Sequence, residues 1–146
     1  MTAVQQTIRS PQRQITDHIY DRDWLTLFIA GTVDYKRVAA IANLDKGDLG
    51  KLGKVAKSSV RFDDKIPSTV AERLTEIANI ANLVAAFFRG DVQKVELWFK
   101  LPNPMLGNIS PRDMIRLSRY DRLLNFVLDA REAEAAASKS DAAAIP

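Results

Sequence analysis

The chain has 146 residues, of which 47% are hydrophobic and 27% charged, and its formal net charge is +3. This length corresponds to one ordinary domain or to two small units that share a core. The sequence contains no Cys, which excludes disulfides, thiolate metal sites and a cysteine nucleophile, and the single histidine, His18, cannot build a histidine metal cluster. We therefore expect no catalytic residue, no metal and no cofactor.

Nothing in the sequence predicts a membrane segment. The first residues are polar, and no window approaches the length of about 18 uncharged apolar residues that a membrane-crossing helix needs. We expect a cytoplasmic protein without membrane contact, in which residues 1–15 form a flexible N-terminal arm.

The first periodic segment predicts a helix from about Thr16 to Ala30, ended by Gly31. Four apolar residues recur at helical spacing and would share one face: Tyr20, Trp24, Leu27 and Phe28. Asp34 can cap a second helix that continues to about Leu44. Residues 45–62 contain three glycines, each of which costs about 1 kcal/mol of helix propensity relative to Ala, so only short helices are expected there.

The clearest helix covers residues 69–89. It begins with a capping-box pattern from Ser68 to Glu72, and apolar residues then recur by four and three to form a wide stripe. A stripe this wide predicts packing on both the preceding and the following part of the chain. Asp91 can cap the next helix, and the Ser110-Pro111 pair is a strong signal for a further one, with a break near residues 118–121.

Basic residues concentrate in one stretch. Between Asp45 and Arg61 the sequence has five basic and two acidic residues, an excess equal to the net charge of the whole chain. A local positive surface favours binding to a phosphate backbone, because each neutralised phosphate releases condensed counterions. A solvated helix face is the alternative. A Walker A loop is excluded, because Asp48 and Val55 stand where that motif requires Gly and Ser or Thr.

The same stretch has the spacing of a helix-turn-helix. Leu49 and Gly50 supply the apolar and the small residue of the first helix, Val55 the apolar turn residue and Val60 the anchor of the second helix. Residues 56–59 would begin the recognition helix, whose first residues point at base edges. The predicted DNA-binding residues are basic or carry a hydroxyl: Lys46, Lys51, Lys54, Lys57, Ser58, Ser59 and Arg61.

About sixteen residues of this stretch resemble the Xre/Cro-like DNA-binding domain, which reads approximately Leu-Ala-x-x-Leu-Gly-Val-Ser-x-x-Thr-Val. The resemblance implies a unit that binds double-stranded operator DNA. Two features depart from the family. Its turn glycine aligns with Lys54, with Gly53 one place early, and the acids Asp63 and Asp64 after the recognition helix repel phosphate. DNA binding is therefore expected to be weak or cofactor-dependent.

A second segment carries a more specific motif. Trp98 is followed by Leu-Pro-Asn-Pro-Met-Leu-Gly at 101–107 and by Ser110-Pro111. Residues from about Ile66 to Leu128 strongly resemble the toxin-binding domain of Xre/MbcA/ParS-type antitoxins, in which a Trp precedes a Pro-Asn-x-x-Leu-Gly loop and a helix that starts with Thr/Ser-Pro. The resemblance implies a type II antitoxin that inhibits a RES-domain toxin, an NAD-degrading enzyme, and represses its own operon.

The toxin contacts are expected in the proline-rich corner and in the tail that follows it. The Ala-rich tail favours helix but buries little, so it is either a frayed extension or a segment that orders on a partner, and its acids suit the cations of a phosphate-binding site. The predicted toxin-binding residues are Pro102, Asn103, Pro104, Leu106, Gly107, Arg131, Glu132, Glu134, Asp141 and Pro146. Trp98 is expected in the core with Val95 and Leu101, and Asn103 can alternatively cap the backbone.

These elements predict an all-α protein. An Xre-like helix-turn-helix unit covers residues 16–65, a toxin-binding unit including the long connecting helix covers 66–130, and a tail covers 131–146. We expect a homodimer, because one helix-turn-helix buries little DNA surface, and its interface would use whatever apolar surface of Tyr20–Phe28 and Val70–Phe88 the core leaves exposed. Two alternatives stay open: a stand-alone helix-turn-helix transcriptional regulator, and a helical adaptor that never binds DNA.

Overall fold

The computed structural model describes residues 22–144, with side chains described as far as residue 138. Several predictions concern residues outside this range: the arm at 1–15, His18, Tyr20 and Pro146. The side chain of Asp141 is outside it as well.

The described chain is mainly helical, as predicted. Its helices are α1 (Tyr35–Ile41), α2 (Lys46–Gly53), α3 (Ser68–Phe87), α4 (Val92–Lys100), α5 (Pro111–Arg116) and α6 (Tyr120–Ala144). An antiparallel hairpin of β1 (Phe28–Ile29) and β2 (Thr32–Val33) precedes them, with Phe28 opposite Val33. Among these helices none is both long and apolar enough to cross a membrane.

The helix predicted over Thr16–Ala30 is wrong for its described part. The Asp23 carboxylate accepts hydrogen bonds from the backbone N–H groups of Leu27 and Phe28, both at 2.9 Å, so the chain forms a hook instead of a helical turn. Thr26, Ala30 and Gly31 have positive φ angles, and the last two form the tight turn of the hairpin. Of the residues that were expected on one helical face, Trp24 lies in a turn, Leu27 in the irregular segment after it and Phe28 in β1.

Carboxylate side chains cap both short helices, and the cap at Asp34 confirms the prediction. The Asp34 side chain accepts from the backbone N–H of Arg37 at the start of α1. At the start of α2 the carboxylates of Asp45 and Asp48 each accept from the other's backbone N–H, which completes a capping box. Lys54 ends α2 in the left-handed conformation (φ 56°).

The recognition helix predicted from residue 56 is absent. Lys57–Ser59 form a single 3-10 turn, and the chain from Val60 to Pro67 is irregular. Gly50 allows the close approach that the motif requires, because a Cβ there would stand 2.9 Å from the carbonyl oxygen of Val55. The predicted first helix and the close approach of Gly50 to the following turn are present, but the predicted second helix is reduced to one 3-10 turn.

The long helix α3 organises the core. It contacts α1, α2, α4 and α6, which confirms that it packs on both the preceding and the following part of the chain. The predicted capping box does not form: Pro67 holds the N-cap position without a side-chain bond, and Ser68 lies inside the helix. Thr69 instead donates its hydroxyl to the carbonyl oxygen of Gly53, so the start of α3 is tied to the end of α2.

The predicted dimer face on α3 is largely used within the chain. Its large apolar residues from Val70 to Val84 are buried, whereas Phe87 and Phe88 at its end are half-buried. The apolar surface that the core leaves on this helix therefore lies mainly at its end, and the homodimer stays a prediction.

Candidate protein-binding and DNA-binding surfaces

A rigid corner connects α4 to α5. Asn103 closes it: the side-chain Oδ1 accepts from the backbone N–H of Met105 at 2.9 Å, and the backbone N–H donates to the carbonyl of Ile109 at 3.1 Å. Pro104–Leu106 form one 3-10 turn that ends at Gly107 with φ 73°, where the left-handed backbone favours glycine. The side chain of Ser110 then caps α5 by accepting from Asp113.

An open apolar groove of about 400 Å³ runs along α4 and this corner. Its walls are formed by Phe88, Lys94, Leu97, Trp98, Leu101, Pro102, Asn103 and Pro104. Leu97 and Leu101 are 53% and 54% exposed, and the adjoining Met105 is 78% exposed. Large apolar side chains grouped in this way are typical of a protein-binding site.

Three of the predicted corner residues, Pro102, Asn103 and Pro104, line this groove. Leu106 is half-buried and packs against the core, and Gly107 is exposed beyond the groove. Asn103 both lines the groove and caps the loop. Trp98 is half-buried against the core, with its ring 5.1 Å from that of Phe99 in an edge-to-face arrangement.

The placement of Leu101 in the core is wrong. Val95 and Phe99 fill the inner face of α4, and Leu101 follows the end of the helix in an extended conformation that turns it outward. Sequence reasoning also missed Leu97, Met105 and Lys94 as surface residues of the corner. For Lys94 and Leu97 the sequence did carry a signal, because the amphipathic pattern of α4 places Leu97 on the polar face.

The tail continues α6 as a helix without a break. The first part of α6, before the tail, packs on α3 and α5, and its buried residues are Leu123, Leu124, Val127 and Leu128. Arg131 is half-buried, whereas Glu132 and Glu134 are exposed, as are the other residues from 132 to 138. The tail is therefore the helical extension that was one of the two alternatives, and its acids face solvent in the described chain.

The basic segment presents all its predicted DNA-binding residues at the surface: Lys46, Lys51, Lys54, Lys57, Ser58, Ser59 and Arg61 are exposed. Arg61, however, is paired with Asp63, whose carboxylate oxygen lies 2.6 Å from a guanidinium nitrogen. The hydrogen bonds from Arg61 hold the pKa of Asp63 below its usual value, so this acid stays ionised beside the arginine. The pair removes one cation from the predicted phosphate surface.

A buried carboxylate joins the basic helix to the corner between α5 and α6. Asp48 is 7% exposed, and its Oδ1 lies 2.9 Å from Nε of Arg116 at the end of α5. Arg116 also pairs with Asp113 at 3.3 Å. The ion pair therefore holds α2, in the predicted helix-turn-helix unit, to α5, in the predicted toxin-binding unit, in addition to the contacts that α2 makes with α3.

Comparisons with protein-family models, with curated proteins and with solved structures found no match to this chain.

Proposed function

We propose that this chain is a non-catalytic antitoxin that binds and inhibits a RES-domain toxin and represses its own operon. The observation that carries the proposal is the exposed apolar groove at the proline-rich corner, the segment whose motif resembles the toxin-binding domain of Xre/MbcA/ParS-type antitoxins. Leu97, Leu101 and Met105 would be unfavourable in water unless a partner covers them.

The groove also indicates the chemistry of the partner surface. Lys94 lies in its wall, and Lys100 is exposed at the end of α4. An apolar projection flanked by carboxylates would fit such a groove, since complementary charges at the rim increase association rate and specificity. We therefore propose a contact with an apolar centre, in which carboxylates of the toxin lie at the edge and face the lysines of this chain.

The tail supplies the second contact. Glu132 and Glu134 stand on an exposed helix whose small Ala side chains would let it enter a narrow cleft. A site that binds a dinucleotide should be basic, so these acids can pair with its cations and block access of NAD. Asp141 and Pro146 stay predictions, as neither side chain is described.

In this proposal the basic segment between Asp45 and Arg61 binds the DNA. The single turn at Lys57–Ser59 offers few side chains to base edges, so phosphate contacts would provide most of the affinity. Two copies of the chain would improve binding to a two-fold operator, and the homodimer stays a prediction.

The groove can be tested with a substitution that removes its apolar contacts without touching the core. The variant combines Leu97→Asp and Met105→Asp, and the matched control is Leu117→Asp, which changes a leucine that is 55% exposed between α5 and α6. We expect the groove variant to lose co-purification with the protein of the adjacent gene, the expected RES-domain toxin, at unchanged thermal stability. Equal capture of the groove variant and the control would contradict the proposal.

A further inference from the structure

We propose that the apolar groove along α4 binds a segment of this chain itself, residues 15–21, which come directly before the described part. The segment combines apolar and acidic side chains in its sequence: Ile15, Ile19 and Tyr20 with Asp17 and Asp21. The inference concerns the groove to which the proposed function assigns the toxin, and it rests on that function only in expecting the toxin to displace the segment.

The described chain begins close to one end of this groove. The guanidinium carbon of Arg22 lies 4.3 Å from the centre of the Trp24 ring. Trp24 in turn packs on Gly90, where a Cβ would stand 3.2 Å from Cε3 of that ring. Phe88, two positions before Gly90, lines the groove. The residues that precede Arg22 therefore join the described chain beside the groove.

The segment is long enough to follow the groove. The nine residues of α4 extend about 14 Å at a rise of 1.5 Å per residue. Seven residues of extended chain can span about 23 Å. Because the segment ends at Asp21, immediately before Arg22, it needs no linker to reach the groove.

The charges of the groove complement those of the segment. Lys94 lines the groove and Lys100 is exposed at the end of α4, and within residues 22–138 neither lysine forms an ion pair. The apolar side chains of the segment would cover Leu97 and Leu101, which are 53% and 54% exposed, and its two acids would pair with the lysines. An apolar centre with a charged rim is the usual composition of a protein interface.

The covalent link makes even a weak contact effective. A segment joined directly to its binding site has an effective concentration in the millimolar range, well above that of a free partner. Covering the groove also removes apolar surface from water, which favours the bound state. In the proposed function the toxin would have to compete with this segment, so the segment limits toxin binding until a partner of sufficient affinity is present.

The first test uses the absence of Cys from the sequence, which lets two introduced thiols report on a single contact. Ile19→Cys is combined in the full chain with Leu97→Cys or, as the matched control, with Leu117→Cys. The two leucines are 53% and 55% exposed, and of the two Leu97 lines the groove. Mass spectrometry after equilibration in a glutathione buffer gives the effective concentration of each thiol pair. We expect that of the Leu97 variant to be about tenfold higher, with the disulfide inside one chain.

The second test leaves the groove unchanged. The segment variant, Ile15→Ser with Ile19→Ser, removes two apolar side chains from residues 15–21. The matched control, Val4→Ser with Ile8→Ser, makes the same kind of change outside the segment.

Two readouts compare these variants with the wild-type chain. In ¹H–¹⁵N NMR spectra of the full chain, the segment variant should shift the signals of Leu97 and of the Trp98 indole and leave that of Leu117 in place, whereas the control should shift none of the three. If the segment covers the groove about nine times in ten, the segment variant should also bind the toxin about tenfold more tightly.

Equal effective concentrations for the Leu97 and Leu117 variants, or unchanged groove signals in the segment variant, would overturn the inference and leave the toxin site of the proposed function intact. Disulfide-linked dimers in place of the internal disulfide would also overturn it and would assign the groove to the segment of a second copy. Failure of both the wild type and the segment variant to bind the toxin, with the internal disulfide formed, would support this inference and reject the toxin part of the proposed function.

Discussion

Nε of Arg116 lies 2.9 Å from Oδ1 of Asp48, while the other oxygen of the same carboxylate accepts from the backbone N–H of Asp45 at 3.0 Å. One buried acid thus closes the capping box of α2 and holds the end of α5. The predicted DNA-binding and toxin-binding segments are joined at this point by a contact between residues that are far apart in the sequence.

Replacing Arg116 by Met should lower the free energy of unfolding by about 1–2 kcal/mol, because Asp48 would stay buried with one charged partner fewer. Asp113→Asn is the control: it removes the outer contact of the same arginine, between two half-exposed side chains, and surface pairs contribute about 0–1 kcal/mol. Urea denaturation measures both. Equal costs for the two variants would contradict a structural role for the Asp48 contact.

Gly50→Ala should destabilise the chain although Ala favours helix. The added methyl would stand 2.9 Å from the carbonyl oxygen of Val55 and 3.3 Å from the backbone of Lys57, and these backbone atoms cannot swing aside. Overpacking of this kind costs about 1–3 kcal/mol, against a propensity gain of about 1 kcal/mol. Thermal unfolding should show a lower Tm for Gly50→Ala and a nearly wild-type Tm for Lys51→Ala, the exposed neighbour. A raised Tm for Gly50→Ala would show that the close approach is not needed.

The hydrogen bonds to Asp23 should make the free energy of unfolding depend on pH in the acidic range. Burial raises the pKa of this carboxyl, but the hydrogen bonds from Leu27, Phe28 and Asn82 and the charge of Arg37 together bring it below 3.8. A group with a lowered pKa in the folded state contributes stability above its unfolded pKa, and that contribution is lost as pH falls through the folded pKa. The wild-type chain should therefore lose stability below pH 3.8 through this group.

Asp23→Asn checks this dependence. The variant should be less stable than wild type at pH 7, because an amide cannot accept both backbone hydrogen bonds with the strength of a carboxylate, and it should lose less stability between pH 7 and pH 3. Asp64→Asn, at an exposed position, is the control for removing one acid. Parallel stability curves for Asp23→Asn and wild type would rule out the predicted linkage.

Truncation after Ala130 tests the tail. Apart from the half-buried Arg131, the residues removed are exposed as far as they are described, and the buried part of α6 ends at Leu128, so the shortened chain should fold and keep its affinity for DNA. It should still bind the toxin through the groove but fail to protect NAD from it. Full protection by the truncated chain would assign the block to the proline-rich corner.

Local signals were enough to predict the caps at Asp34, Asp91 and Ser110, because the acceptor and the backbone donors lie within three residues of each other. The hook at Asp23 could not be predicted in this way. It depends on Asn82, whose amide donates to Asp23 and whose carbonyl accepts from Leu25, more than fifty residues away. The apolar spacing around Trp24 indicated a helix because periodicity does not report such distant partners.

The candidate surfaces show the same difference between local and distant signals. The sequence alone was enough to find the basic residues of α2 and the proline-rich motif of the corner. It could not predict that the second helix stops after one turn, since Val60 is buried without being in a helix. It also could not show that Leu101 faces solvent, because this depends on where α4 ends and how the corner after it packs.

The most direct test of the antitoxin proposal is co-expression with the protein of the adjacent gene, which the proposal expects to be a RES-domain toxin, with cellular NAD and growth as the readouts. We expect the toxin alone to deplete NAD and stop growth, and the wild-type chain to restore both. The variant with Leu97→Asp and Met105→Asp should fail to do so while Leu117→Asp succeeds. Unchanged NAD depletion in the presence of the folded wild-type chain would contradict the account.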